Sequence, residues 1–447
     1  MILFNGDTMR IFTTAAQQSE IRALLNRRPN PQADSGELTA RVAGIIGKVR
    51  QEGNRALLEY AARFDHVDLT AETLRVTPAE LEAASREVGA AFRDAVRTAK
   101  RNILDFHAKQ YPKDWLDIKA DGILLGQRYL PVAAAGLYVP GGTAGTTPLV
   151  SSVLMNALPA IVAGVERIVI CTPPNATGSV NPHLLATAAE CNIGEVYKIG
   201  GAQAVAALAF GTETMAPVDV IVGPGNQYVT EAKRQVFGYV GIDMLAGPSE
   251  ILVIADAANN PVFVAADLIS QAEHGPAGEN GSFLLTPSRP LAEAVAIEVE
   301  RQLAELNRNE IARASLEQGG GIIITQDLDE AFALANYTAP EHLELLVRDP
   351  WNHLSRIRHA GAVFIGPFST EPIGDYVAGS NHVLPTSGTA RFASGLNVDH
   401  FMKKTSLICY NQAGIQRYGP AAVSLAEVEG LDGHANAVKV RMKVNDN

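Results

Sequence analysis

The amino-acid sequence predicts an α/β chain built from two doubly wound modules, with small helical appendages at its two ends, on three observations. Short β-branched runs alternate with helical segments from Gly136 onward, the rhythm of a parallel sheet covered by helices on both faces. Glycine turns stand where strands give way to helices, and open sheets of this kind bind ligands there. The chain has 447 residues, 47% hydrophobic and 19% charged. That is an ordinary globular composition, too long for one compact domain at about 150 residues per unit.

Taken in order, residues 1 to about 110 carry helical signals. Thr77-Pro-Ala-Glu80 is a capping box ahead of an apolar periodic stretch, and Glu59-Tyr-Ala-Ala-Arg63 lies in a charged amphipathic pattern. No chemistry stands out there. Strands are then expected at Arg167–Cys171, Glu195–Ile199, Val218–Val222 and Ile251–Ile254, alternating with helices near 183–190, 202–210 and 226–236. After Asn259 the alternation resumes. A helix containing Ala265–Gln271 precedes a strand at Ser282–Thr286 and a helix near 290–305, followed by strands at Gly321–Thr325 and Ala362–Gly366. These make two Rossmann-like modules. Beyond about Asp399 the pattern turns short and helical, ending in Ala437–Met442, an appendage too small for its own core.

Charge and cysteine usage narrow the partners. With 37 Lys+Arg against 48 Asp+Glu the formal net charge is −11, and no basic block occurs. Such a surface repels phosphate backbones, so neither nucleic acid nor an anionic membrane is expected as a partner. The three cysteines, Cys171, Cys191 and Cys409, lie far apart, which excludes a thiolate zinc site and fits a reducing cytoplasm. Cys171 and Cys191 read as packing residues. Met1–Asp7 lacks a basic region followed by an apolar stretch, so no secretory signal is expected and the protein is placed in the cytoplasm. The uncharged run from Tyr129 to Val165 is interrupted by Pro131, Pro140, Pro148 and Pro159, which makes it loops and core rather than a membrane span.

Three glycine turns are candidates for holding phosphate, because a helix N-terminus presents free N–H groups and a positive dipole end. They are Tyr138-Val-Pro-Gly-Gly142, Ile199-Gly-Gly-Ala-Gln203 and Val222-Gly-Pro-Gly-Asn226. None is a GxGxxG fingerprint, and the pattern alone fits plain βα turns equally well. Asn226 and Gln203 could equally cap helices, and Ser249 could be an ordinary turn residue.

Histidines and carboxylates collect elsewhere. Gln271 and His274, three apart at the end of an apolar helix, share one face. Glu341-His342 follows Ala339-Pro340 in what reads as an exposed turn, and Gly374-Asp375-Tyr376, His382 and His434 occupy Gly/Pro-rich loops. Such groups suit a metal or acid/base site. The spacing is not diagnostic: for each histidine alone a structural role is the commoner one, and His66, His107, His183, His353, His359 and His400 are assigned to it.

At these motifs the sequence resembles the histidinol dehydrogenase family. The likeness runs from Gly53-Asn-Arg-Ala-Leu-Leu-Glu-Tyr60 and Arg63-Phe-Asp65 through Tyr138–Ala144, Ser151–Pro159, Val222–Lys233, Ala246-Gly-Pro-Ser-Glu250 and Ser270–Pro276. It continues through Ala339–Leu343, Gly374–Tyr376 and Asn381–Thr386 to Glu429-Gly-Leu-Asp432. The resemblance implies oxidation of L-histidinol to L-histidine through an aldehyde with two NAD+, in a zinc-containing homodimer. By matching positions, Gln271, His274, Asp375 and His434 are the implied zinc ligands, and Glu341 and His342 the implied acid/base pair. Zinc has no redox chemistry of its own, so it would orient the substrate. Tyr138, Gln203 and Asn226 would contact NAD. Ser249, His382 and Glu429 would line the substrate pocket with Gln271, His274, His342, Asp375 and His434. Glu429 and His434 would come from the partner subunit.

The implied organisation has four parts. Residues 1–35 form an N-terminal helical appendage, and 36–137 with 251–398 form a substrate and zinc domain. Residues 138–250 form an NAD-binding domain, and 399–447 form a C-terminal segment crossing the dimer. Two loops depart from the family pattern, the longer stretch between Gly142 and Val153 and the loop 275–281. Both flank the implied site, and the first leaves open whether Ser151 or Ser152 approaches the substrate. Three alternatives compete: a paralogue oxidising another polar alcohol, a zinc hydrolase with Glu341 as base, and a non-catalytic binding protein. Retention of His382 and Glu429 favours histidinol. The glycine turns argue against the hydrolase, and Glu341 with His342 against loss of catalysis.

Overall fold

The computed structural model describes residues 9–28, 36–142, 148–275 and 280–443. The chain opens with β1 (Ile11–Thr13) and α1 (Thr14–Leu25) and continues through α2 (Glu37–Glu52), α3 (Asn54–Tyr60), α4 (Pro78–Glu87) and α5 (Ala90–Ala108). A hairpin of β2 (Trp115–Ile118) and β3 (Leu124–Pro131) follows. The first α/β module comprises β4 (Ala134–Tyr138), α6 (Val150–Ala163), β5 (Arg167–Thr172), α7 (Pro182–Glu190), β6 (Glu195–Lys198), α8 (Gly201–Phe210), β7 (Val220–Val222), α9 (Gln227–Val236) and β8 (Gly241–Ile242). The second begins with β9 (Glu250–Ala255), α10 (Pro261–Ala272), β10 (Gly281–Thr286), α11 (Arg289–Leu303) and α12 (Asn309–Gly319). It ends with β11 (Gly320–Ile324), α13 (Leu328–Thr338), β12 (His342–Leu346), β13 (Ala362–Ile365) and α14 (Glu371–Tyr376). Last come β14 (Met402–Cys409), α15 (Gln412–Val428) and α16 (Asp432–Met442).

Both modules are parallel and wound alike. The five-stranded sheet runs β6-β5-β4-β7-β8 and the six-stranded sheet β1-β11-β10-β9-β12-β13. Counted within each module the shared order is 3-2-1-4-5, so the winding reverses between β4 and β7 in one and between β9 and β12 in the other. The central strands are apolar on both faces, as strands covered by helices must be: every residue of β4, β9 and β10 is buried. The capping box predicted at Thr77 forms, with Glu80 N donating to Thr77 Oγ1 and Thr77 N to Glu80 Oε2.

Two expectations need correcting, one at each end of the chain. The N-terminal part is not only helical: β1 pairs in parallel with β11 and extends the second sheet, while Ile21 and Leu25 of α1 join that module's core. Between these ends, the helices of residues 36–137 pack mainly on the first sheet, and α5 also meets Val383, Leu396 and Val398 of the later chain. Val42, Ile45 and Val49 of α2 pack with Val205 and Val229 on one side of the first sheet, and Val96, Ala99 and Ile103 of α5 pack with Met155 and Leu158 on the other. An amphipathic helix shows which face it buries but not which sheet will bury it. Finally, the tail is not purely helical, because β14 pairs antiparallel with β3 along its whole length, from Met402 opposite Pro131 to Cys409 opposite Leu124. Most of β14 is exposed, so no alternation of apolar residues announces it. No described helix is long and apolar enough to cross a membrane.

Candidate active site

The three glycine turns meet in one cleft. Each follows a strand of the first sheet, β4, β6 or β7, and together they line a cavity of about 1030 Å³. Tyr138 ends β4 with its ring buried, and its hydroxyl accepts the Gly201 N–H at 3.1 Å, tying the first turn to the second. Burial pushes the phenol up to about 12. Gln203, buried in the first turn of α8, and Asn226, the N-cap of α9, also face this cleft. Asn226 does cap: its Oδ1 accepts from Tyr228 N at 3.0 Å and Val229 N at 3.2 Å. The third turn is fixed from below. Gly223 N donates to Asp243 Oδ2 at 2.8 Å, Lys233 Nζ donates to Gly223 O at 3.0 Å, and Lys233 and Asp243 form a buried ion pair.

The far wall of the cleft was not anticipated. Arg41, Lys48, Tyr60, Phe64 and Asp65 line it, although nothing before residue 110 had suggested chemistry. Arg41 and Lys48 lie seven apart on α2, hence on one face. That spacing was the available signal.

The residues expected to form the acid/base pair lie at the opposite pole of the second sheet. Ser249 and Glu250 sit at the start of β9 and Glu341 and His342 at the start of β12, so this group occupies the amino ends of the strands that flank the winding reversal. The expectation of an exposed turn is overturned, for Glu341 is 4% and His342 3% exposed. Pairing of His342 with Ile251 and Ala362 draws the dipeptide into the sheet. His342 Nδ1 lies 3.2 Å from the Glu250 carbonyl. A carbonyl only accepts, so Nδ1 carries the proton and the unpartnered Nε2 presents its lone pair. Burial first of all, then His274 and His382, push His342 down to about 3. That is well below the near-neutral value expected of an acid/base histidine. Glu341 is pushed well up, first by burial and then by Glu250, against a hydrogen bond from Ser249. Its Oε2 accepts the Glu250 N–H at 3.2 Å.

Beside His342 stands a group of metal-ligand type. His274, Glu371 and Asp375 each offer a ligand atom within 4.8 Å of the others. His274 Nδ1 donates to Ser270 O at 3.0 Å, which leaves Nε2 free to bind. Asp375 Oδ1 is 3.9 Å from His342 Nε2, and burial raises its acid to about 7. Gln271 is fully buried on α10 with neither amide atom partnered. A side chain that forgoes all its hydrogen bonds in a dry interior calls for a missing partner. Glu371 was not foreseen. Its signal is the i, i+4 spacing to Asp375, which puts both on one face of α14.

His382 is half-buried, with Nε2 unpartnered, and is pushed down to about 4, chiefly by burial. Glu429 and His434 are exposed at the turn between α15 and α16 and in the first turn of α16. Among the described residues His434 does not join the metal-type group. Ser151 and Ser152 lie in the first turn of α6, Ser152 buried; residues 143–147 and 276–279 of the two divergent loops fall outside the described residues. Cys171 and Cys191 are buried, their thiols driven up by desolvation, as packing residues should be. His107 is likewise structural, buried with Nδ1 2.7 Å from Gln110 Oε1.

A family model described as histidinol dehydrogenase matches residues 28–442. The chain belongs to the histidinol dehydrogenase family. A histidinol dehydrogenase of Thermosynechococcus vestitus is 51% identical over 438 residues, covering 97% of this chain and all of that one. One from Desulfotalea psychrophila is 51% identical over 426 residues, covering 95% of this chain and 97% of the other. The crystal structure of histidinol dehydrogenase from Elizabethkingia anophelis superposes with a TM-score of 0.92 at 40% identity, covering 98% of this chain and 99% of that one. This is an oxidoreductase family, and the α/β architecture read from the sequence is the family's own.

Proposed function

We propose that this chain oxidises L-histidinol to L-histidine through the aldehyde, with two NAD+ as oxidants and a zinc ion ordering the substrate. The observation that carries the reading is the unpartnered, buried Nε2 of His342 facing a His274–Glu371–Asp375 group beside the orphaned amide of Gln271. These donors fit a zinc ion: imidazole nitrogen, carboxylate oxygen and an amide with no protein partner. The ligands proposed are Gln271, His274 and Asp375, with His434 arriving from a second copy of the chain. The cleft of Tyr138, Gln203 and Asn226 fits an extended dinucleotide, since three turns and a helix N-terminus converge on it. When bound, NAD+ supplies the acceptor for the hydride and zinc a cation to hold the amine and imidazole of the substrate.

The chain's own groups supply the rest. His342 Nε2, neutral and with its lone pair free, takes the proton of the substrate hydroxyl in the first oxidation. Glu341, as the carboxylate, takes a proton from water as it adds to the aldehyde carbon, giving the hydrate in its ionised form, which loses hydride in the second oxidation to give the acid. Ser249, His382 and the partner's Glu429 line the pocket in this reading.

The test is NADH formation by the zinc-loaded protein with L-histidinol. Two NADH per histidine formed, lost on chelation, are expected. His342→Ala should suppress the first oxidation, whereas Glu341→Gln should impair turnover of supplied aldehyde more than that of alcohol; equal loss in both steps would sink the division of roles. A folded, zinc-bound protein inert toward histidinol points instead to a paralogue acting on another polar alcohol.

A further inference from the structure

Below the metal-type group lies a second tier of acidic side chains, set by the periodicities of three elements. On β12, His342 and Glu344 share a face at i, i+2; on α10, Asp267 and Gln271 share one at i, i+4; on α14, Glu371 and Asp375 do the same. The upper members of these pairs, His342, Gln271 and Asp375, face the site. The lower members, Glu344, Asp267 and Glu371, are all buried, and Glu371 belongs to the metal-type group as well. Glu344 Oε1 accepts the Glu371 N–H at 3.0 Å, and its carboxyl hydrogen-bonds to that of Asp267. Thr370, the N-cap of α14, makes no side-chain cap. The short helix carrying Glu371 and Asp375 is therefore capped from the neighbouring strand rather than from its own chain end.

We propose that Glu344 is a positioning residue for the metal site: bonded to the first turn of α14 and to α10, it sets the distance at which Asp375 and Glu371 meet His274 and Gln271. The inference rests on that group being the metal site proposed above. Six residues make a marginal helix; a buried acceptor from β12, itself paired with β9 and β13, ties its first turn, beside a longer bond from Ser270 Oγ of α10 to Glu371 Oε2 at 3.4 Å. Through Asp267 the same carboxyl reaches α10, which presents Gln271 one turn further on. Glutamine at 344 reproduces both bonds, its carbonyl accepting from Glu371 N–H and its amide donating to Asp267, while leucine reproduces neither.

The experiment compares Glu344→Gln, Glu344→Leu and Asp267→Ala in the full-length protein by two readouts. Zinc affinity is measured by competition with a chromophoric chelator, and protection of α14 by hydrogen–deuterium exchange in the metal-free protein. Glu344→Leu should bind zinc about 10- to 100-fold more weakly, the range for lost partners of metal ligands, and should exchange the α14 amides faster without metal. Glu344→Gln should stay within about threefold of wild type in affinity and match its exchange, and Asp267→Ala, which deletes the α10 tie alone, should fall between. Wild-type exchange and affinity in either Glu344→Leu or Asp267→Ala overturns the proposal. So does a Glu344→Gln protein as impaired as the leucine variant. Should the wild-type protein take up no zinc, the metal reading falls, and the metal-free exchange data still decide whether Glu344 holds α14.

Discussion

Desolvation drives Glu341 and His342 toward neutrality from opposite sides. A water-poor site disfavours charge of either sign, so the carboxyl is pushed up and the imidazole down. At neutral pH His342 then has a free lone pair, while a cation held by His274 and Asp375 would favour the carboxylate form of Glu341. The same physics acts on Asp65 in the cleft of the glycine turns, where burial raises the acid to about 6 and Oδ2 has no partner. Because the folded value lies above the ordinary 3.8, the folded state prefers the protonated acid. Its contribution to stability is full below about pH 3.8 and is lost as pH rises through about 6. Asp65→Asn should therefore gain stability over wild type as pH rises from about 4 to 8, by on the order of 1 kcal/mol once solvent reaching this half-buried group is allowed for. Urea unfolding at both pH values checks this, and a difference independent of pH refutes it. Residue types at the site were legible from sequence where a motif held them together, as in Glu341-His342. Asp65, Glu250, Glu344 and Glu371 were not, because an acidic residue looks the same in a one-dimensional text whether it ends up in water or in a core.

Elements were readable where periodicity and punctuation agreed. The capping box at Thr77, the helix starting after Asn226 and the β-branched runs of β5, β9 and β10 all formed near their expected bounds. Where a strand is neither alternating nor apolar, as in Lys403-Lys404-Thr405-Ser406 of β14, only its partner β3 reveals it. The glycine turns show how much geometry a single residue can carry. Gly223 has φ +112°, and a Cβ there would fall within van der Waals contact of the Tyr138 carbonyl and 2.8 Å from Asn156 Nδ2. An L side chain is strained at that φ regardless of space. Gly223→Ala should cost about 2 to 3 kcal/mol and, with NAD+ as the proposed oxidant, raise its KM more than it lowers kcat, because the turn that bears Asn226 must shift. Wild-type stability together with a wild-type KM would show that the turn has slack to absorb a methyl group.

At the scale of the molecule, α15 and α16 have each other as their main packing partner, yet their surface is not that of a free hairpin. Leu425 and Val428 are 68% and 86% exposed, next to Glu429 and His434. Apolar side chains displayed beside two residues proposed for the site, on an arm with little core of its own, fit an arm that completes the site of a second copy. The sequence showed that this tail lacked a core, but one chain cannot reveal where its apolar face goes. Complementation decides it. Pairing a His434→Ala chain with a Glu341→Gln chain leaves one site with both Glu341 and His434 intact if the arm crosses over, and none if each chain builds its own site. A purified heterodimer carrying two different tags should then recover about half of wild-type activity, set by one intact site of two. Activity no higher than that of the parent variants, in a verified heterodimer, would place Glu429 and His434 in the site of their own chain. The hairpin would then have to fold back across β14 to reach Gln271, and Leu425 and Val428 would need another explanation.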